Sequence, residues 1–149
     1  MNAPSAAAST VVLDTNVVLD WLLFRDAGAA ALGAALEGAQ LRWVGCARMR
    51  EEFRRTLAHP LLNKWRPDHA CLLALFDRHV TLLPEPHAAP LRLRCDDADD
   101  QVFIDLALAS GAGWLLSHDK ALLRLRRRVP PGGPQICRPR DWKNPAASP

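Results

Sequence analysis

Four acidic side chains stand where they could meet at one edge of a sheet: Asp14, Glu52, Asp100 and Asp119. Asp14 directly follows the run Val-Val-Leu, which predicts a buried parallel strand that ends at this carboxylate. Open α/β sheets carry their chemistry at that edge. If the four acids converge, each close pair repels by roughly 4 kcal/mol at an effective dielectric near 20, so the cluster must hold protons or bind a cation. The pattern favours a metal-dependent enzyme that acts on phosphodiesters.

Two of these acids, Asp14 and Asp119, lie between a predicted strand and a predicted helix. The simpler interpretation of such an aspartate is that it caps the helix and has no further role. However, the threonine and asparagine after Asp14 could cap the first helix equally well. Asp119 ends the run Ser117-His118-Asp119, which has the residue types of a hydrolase triad, yet consecutive side chains diverge and cannot form one. We therefore predict that His118 is a loop residue and that Ser117 hydrogen-bonds an acid or a metal-bound water.

The other two acids, Glu52 and Asp100, lie on predicted helices at the border of the buried face. The simpler interpretation of Glu52 is an ion pair with an arginine one turn away on the same helix. Asp100 lies two turns before Ala107 on an apolar face, which puts its carboxylate at the buried edge of the first turn. Its neighbours Asp97 and Asp99 are interpreted as surface charges or as helpers outside the direct ligand set.

Length and composition indicate one globular domain. The chain has 149 residues, of which 49% are hydrophobic, enough for a real core. No apolar stretch reaches the roughly 18 residues that span a bilayer, so we expect no membrane segment. Four dispersed cysteines without a Cys-x-x-Cys pair favour reduced thiols in the cytoplasm. We predict a disordered lead over 1–9, without a signal peptide, a domain over 10–142 and a flexible tail over 143–149.

Arginine is concentrated in two segments, 48–55 and 124–128, although the net charge is only +3. A basic surface around an acidic centre is what a nuclease needs to hold a polyanion. Each cluster could instead be a solvated helix face. The candidate RNA contacts are Arg48, Arg55 and Lys120.

Strands and helices alternate along the chain. Strands are predicted over residues 11–13, 41–44, 80–83, 114–116 and 135–137. Helices are predicted over residues 17–24, 29–39, 46–58, 68–78, 99–110 and 120–126. This alternation predicts right-handed crossovers and a parallel sheet with helices on both faces.

Four short runs, in order and at plausible spacing, resemble the motifs of PIN-domain proteins. The runs are Leu-Asp14-Thr15-Asn16, Glu52-Phe53-Arg54-Arg55-Thr56-Leu57, Asp97-Ala98-Asp99-Asp100-Gln101-Val102-Phe103 and Leu-Leu-Ser117-His118-Asp119-Lys120-Ala121-Leu122-Leu123. The branch that the chain resembles is the VapC-like ribonucleases, the toxin components of bacterial toxin–antitoxin systems. The resemblance extends from about Val11 to Trp142.

The resemblance implies a PIN-like, Rossmann-like three-layer α/β/α sandwich with a central parallel five-stranded sheet of order 3-2-1-4-5. The four acids named above match the acidic quartet of the family, and Asn16 and Ser117 match polar positions beside it. Oxygen ligands select Mg²⁺ or Mn²⁺. The chain departs from the family at His118, which replaces a small residue, and at Cys46, which replaces a helix-capping serine.

The resemblance also implies an RNA substrate, a homodimer and a cognate antitoxin, for which exposed Trp65 or Trp21 could provide contacts. Two alternatives stay open. A catalytically impaired PIN-like module could bind RNA or protein, and His118 beside the acids is the feature that favours it. A haloacid-dehalogenase-like phosphohydrolase would use Asp14 as nucleophile, but Asn16 cannot donate the proton that such an enzyme needs.

Overall fold

Five short strands, rich in apolar residues, pair in parallel to form the sheet of the computed structural model, which describes residues 10–90 and 93–145. The strand order is β3-β2-β1-β4-β5. The strands are β1 (Thr10–Leu13), β2 (Arg42–Gly45), β3 (Val80–Leu82), β4 (Trp114–Leu116) and β5 (Gln135–Cys137). The predicted fold class and strand order are therefore confirmed. The predicted disordered lead over 1–9 and residues 146–149 of the predicted tail lie outside the described residues.

The register brings three strand ends to one line. Leu116 of β4 pairs with Leu13 of β1 on one side and with Cys137 of β5 on the other. Residues that follow these positions therefore emerge side by side at the carboxyl edge of the sheet. This is the edge at which the sequence predicts the acidic cluster.

Helices connect the strands. The α-helices are α1 (Thr15–Leu22), α2 (Ala30–Glu37), α3 (Ala47–Leu57), α4 (His69–His79), α5 (Gln101–Ala109) and α6 (Lys120–Leu123). Tighter 3₁₀ segments occupy Ala27–Ala29, Pro60–Trp65, Ala98–Asp100, Arg124–Arg127 and Pro139–Asp141. The predicted last helix is thus shorter and tightens after Leu123, and the 3₁₀ segment over Pro60–Trp65 was not predicted. None of the helices described has the length and apolar character needed to cross a membrane.

Alternating side chains of β1 divide the core into two layers. Val11 and Leu13 pack with helices α1 to α4 on one face, and Val12 packs with α5 and α6 on the other. Trp21 is only 5% exposed and packs edge-on against Trp43 at 5.9 Å, so the prediction of Trp21 as an exposed contact residue is wrong. The helical pattern of α1 places it in the core.

The start of α3 lacks a cap from its own sequence. Cys46 occupies the N-cap position, is fully buried and makes no side-chain capping bond. Instead, Glu85 from the loop after β3 accepts a hydrogen bond from the backbone N–H of Arg48 at 3.2 Å. A carboxylate at a helix N-terminus is stabilising, so Glu85 compensates for the missing serine.

Candidate metal centre

Asp14 emerges from the end of β1 with its carboxylate directed into a buried space. Its backbone N–H donates to the carbonyl of Leu116 at 3.0 Å, and its own carbonyl accepts from Val17 at 2.9 Å to begin α1. The residue occupies the N-cap position, but its side chain makes no capping hydrogen bond. Asp14 is 4% exposed, and its Oδ2 accepts the hydroxyl hydrogen of Ser117 at 2.6 Å. The carboxylate of Asp14 therefore does not cap α1.

Ser117 connects two of the acids. It directly follows β4, and its backbone N–H donates to the carbonyl of Cys137 at 3.1 Å, which fixes it against β5. Its hydroxyl donates to Asp14 and its Oγ accepts from the backbone N–H of Asp119 at 2.9 Å. Asp119 in turn caps α6, because its Oδ1 accepts from the N–H of Ala121 at 2.8 Å. The prediction that Ser117 hydrogen-bonds an acid is confirmed.

Asp100 brings a third carboxylate to this edge from the other side of the sheet. It ends the 3₁₀ segment Ala98–Asp100, is 8% exposed, and its buried Oδ2 has no hydrogen-bond partner among the residues described. Asp97, Asp100 and Asp119 each offer an oxygen within 4.8 Å of the other two. Asp97 is exposed, in agreement with its interpretation as a surface charge, and one of its oxygens also belongs to this group of carboxylates.

Gln101 holds the loop that carries Asp97. Its Oε1 accepts from the backbone N–H of Cys95, and its Nε2 donates to the carbonyl of Leu93 at 3.2 Å and to Asp105 at 2.9 Å. Sequence reasoning missed this residue. The available signal was an amide next to the acidic patch, which alone does not indicate its long-range partners.

Glu52 reaches the same region from α3. Its Oε2 accepts the hydroxyl hydrogen of Thr15 at the start of α1. Three of the four arginines of α3 are paired elsewhere: Arg54 at 2.6 Å and Arg55 at 3.2 Å with Glu51, and Arg50 with Asp77. Glu52 makes no ion pair among the described residues, so the alternative of an ion pair with an arginine one turn away is wrong.

The two other residues beside the acids face outward. Asn16 is exposed on the first turn of α1. His118 lies in the loop between β4 and α6, as predicted, and its Nε2 lies 2.5 Å from Oδ2 of Asp20 on α1. The imidazole is thereby held on the rim, toward α1 and outside the group of three carboxylates.

Crowding and burial shift the pKa values of the acids. Burial, with contributions from Glu52 and Asp119, raises the pKa of Asp14 to about 6 despite the Ser117 hydrogen bond. Burial also raises the pKa of Asp100, and its hydrogen bond with Asp119 raises it further. That same bond lowers the pKa of Asp119, so Asp100 is the member of the pair that keeps the proton. The site resists holding all its negative charge at neutral pH.

Asp97, Asp100 and Asp119 fit a divalent cation, whereas Asp14 and Glu52, which were also predicted as ligands, are not part of that group of three. A buried carboxylate oxygen without a partner costs free energy unless something positive binds it, and Oδ2 of Asp100 is such an atom. Asp97 and Asp119 each place an oxygen within 4.8 Å of an oxygen of Asp100. A purely oxygen donor set of this kind suits a hard cation.

The comparison with protein families decides the identity of the fold. Residues 10–121 match the PIN domain. The chain belongs to the PIN-domain family. PIN domains are generally metal-dependent nucleases, and the acidic group at the sheet edge of this PIN domain agrees with that chemistry. No curated protein and no solved structure gives a significant match to the chain.

Proposed function

We propose that this PIN domain is a metal-dependent endoribonuclease that hydrolyses RNA phosphodiester bonds with Mg²⁺ or Mn²⁺. The observation that carries the proposal is the buried side chain of Asp100, which belongs to a group of three carboxylates and whose Oδ2 has no partner among the described residues. A protein gains nothing from such a group unless a cation or a proton compensates it.

The proposed ligands are Asp14, Asp100 and Asp119, the last directly or through water, with Asp97 as an additional oxygen donor. When bound, the ion would activate a water and neutralise charge on the leaving oxygen. Glu52, held by Thr15, would orient that water and accept its proton.

Ser117 is the proposed positioning residue. Its hydroxyl holds the Asp14 carboxylate, and its Oγ holds the backbone of Asp119. The two bonds fix the distance between acids that come from neighbouring strands. A ligand set that is already ordered loses less entropy when the ion binds.

Basic side chains flank the acids. Arg48 and Arg55 line a cavity of about 360 Å³ together with Glu52. Lys120 follows Asp119 directly and lines a second cavity of about 370 Å³. Arg48, Arg55 and Lys120 are proposed to contact RNA phosphates next to the cleaved bond, because guanidinium and ammonium groups bind phosphate well.

The biological role that the VapC-like resemblance supports is that of a cytoplasmic toxin. The protein would then act as a homodimer and be inhibited by a cognate antitoxin. Exposed Trp65, whose ring lies tilted against that of Phe24 at 4.7 Å, supports a protein contact at this surface. Co-expression with the protein encoded immediately upstream tests this role: growth arrest by the chain alone, relieved by its neighbour, is the expected result.

The nuclease proposal is tested by incubating RNA with purified protein in Mg²⁺, Mn²⁺ or chelator. The wild type should cleave only with metal, Asp14→Asn should not, and Asp77→Asn, an exposed acid on α4, should cleave normally. Equal cleavage by the wild type and Asp14→Asn would indicate a contaminant. Absence of cleavage would favour the binding module, and hydrolysis of a small phosphomonoester would favour the phosphohydrolase.

A further inference from the structure

A strongly basic surface lies next to the acidic centre, on the side of β5. A cavity of about 370 Å³ is lined there by Lys120, Leu123, Arg124, Arg126, Arg127 and Arg138. Five of these six side chains are cationic at neutral pH. No carboxylate lines the cavity, so its field attracts anions.

The sequence folds locally so that the arginines must point outward. In the segment after Asp119, Leu123 and Leu125 are buried, 9% and 3% exposed, and anchor the 3₁₀ turn Arg124–Arg127 to the core. Arg124 and Arg126, which alternate with these leucines, and the next residue, Arg127, are exposed. Asp119, one of the acids of the site, therefore caps the start of the same short segment that presents a row of guanidinium groups.

These charges are hardly compensated. Arg124 contacts Asp96 at 3.4 Å, but both side chains are largely exposed, so this pair contributes little. Arg126, Arg127 and Arg138 have no ion pair within residues 10–90 and 93–145. Structural arginines usually find a carboxylate, whereas unpaired, clustered arginines are typical of phosphate-binding surfaces.

Arg138 connects this cavity to the acidic centre. It directly follows Cys137, whose carbonyl accepts the N–H of Ser117 at 3.1 Å. Arg138 also lines a second concavity of about 360 Å³ that contains His118, the neighbour of Asp119. Arg138 therefore lies on a path from the concavity beside His118, which Asp26 and Arg140 also line, to the cavity of Arg126 and Arg127.

We propose that this path is a phosphate-binding subsite for single-stranded RNA, which seats phosphates outside the cleaved bond. This inference rests on the proposed function and adds a substrate class to it: strands long enough to span the acids and the arginine cavity. A continuous strand carries one phosphate per nucleotide, which matches a row of cations better than a single small anion does.

Binding can be measured without cleavage. The parent is Asp14→Asn without divalent metal, and the probe is a fluorescently labelled oligouridine followed by anisotropy. Arg126→Gln/Arg127→Gln should weaken binding about tenfold and reduce the slope of log K against log salt by about 1.4, since each phosphate contact on a single strand contributes about 0.7. Arg42→Gln/Arg78→Gln removes two arginines at the opposite, amino edge of the sheet and should change affinity less than about twofold.

Equal affinities for the two double variants, or no binding of oligouridine by the parent, would overturn the subsite. Equally tight binding of polyglutamate would overturn its assignment to RNA and favour an acidic peptide. If the wild type cleaves no RNA but the arginine variant still binds more weakly than its control, the nuclease proposal fails and the subsite stands. Both double variants should have the melting temperature of the parent, because the substituted side chains are exposed.

Discussion

Ser117 donates its hydroxyl hydrogen to Asp14 at 2.6 Å and so joins two residues that are 103 positions apart in the chain. Both follow strand ends that the register sets side by side. The bond is buried, and its acceptor is an acid whose pKa burial has raised. It stabilises the fold and orders the site at once.

Ser117→Ala should destabilise the metal-free protein by about 1–3 kcal/mol, because it leaves a buried acceptor without its donor. Ser110→Ala is the matched control, since the buried hydroxyl oxygen of Ser110 has no hydrogen-bond partner among the described residues. Urea unfolding of both variants measures the difference. Similar losses for the two would contradict the role given to Ser117.

Asp14→Asn should stabilise the metal-free protein in a pH-dependent way. Burial raises the pKa of Asp14 from 3.8 to about 6, so the stability that comes from its protonated form is complete below 3.8 and is lost as pH rises through about 6. This shift corresponds to at most about 3 kcal/mol. The free energy of unfolding of the variant should therefore exceed that of the wild type above pH 6 and equal it near pH 4. Chemical unfolding at both pH values measures this difference. A constant difference would contradict this assignment.

Glu52→Gln should reduce RNA cleavage by about 100-fold or more, because the amide keeps a hydrogen bond to Thr15 but cannot accept a proton. Glu51→Gln changes the adjacent residue in the same way and breaks only exposed pairs with Arg54 and Arg55. Its activity should stay within about twofold of the wild type. Equal rates for the two variants under single-turnover conditions would exclude Glu52 from the chemistry.

Asp97→Asn should weaken Mn²⁺ binding about 10–100-fold, because an Asp97 oxygen lies within 4.8 Å of those of Asp100 and Asp119. Asp99→Asn removes the same charge from the same turn but from outside that group, and should have little effect. Calorimetric titration of both variants compares them directly. Equal losses of Mn²⁺ affinity in the two variants would mean that Asp97 acts only through its negative charge and not as a ligand.

The sheet and most of the site could be predicted from sequence because they depend on short-range patterns. Apolar runs that end in an acid specify both the strand and the edge at which Asp14 emerges. The role of Glu52 could not be resolved in this way, because two glutamates lie side by side on α3 and only the tertiary contact with Thr15 distinguishes them. Asp97 is exposed, as predicted, but its position beside Asp100 and Asp119 could not be predicted, because its loop is held by Gln101 through bonds to Cys95 and Leu93 that no local pattern encodes.

The claim on which the rest depends is that the clustered carboxylates share a divalent ion, and a Mn²⁺ titration of the melting temperature tests it most directly. The wild type should gain stability as metal is added, by about 2.7 kcal/mol at a hundredfold excess over Kd. Asp100→Asn should be about as stable as the wild type without metal at neutral pH, because Asp100 already holds a proton there, and it should gain little stability from Mn²⁺, because it has lost a carboxylate ligand. A wild-type melting temperature that does not change across millimolar Mn²⁺, or that rises equally in the variant, would contradict a shared metal site.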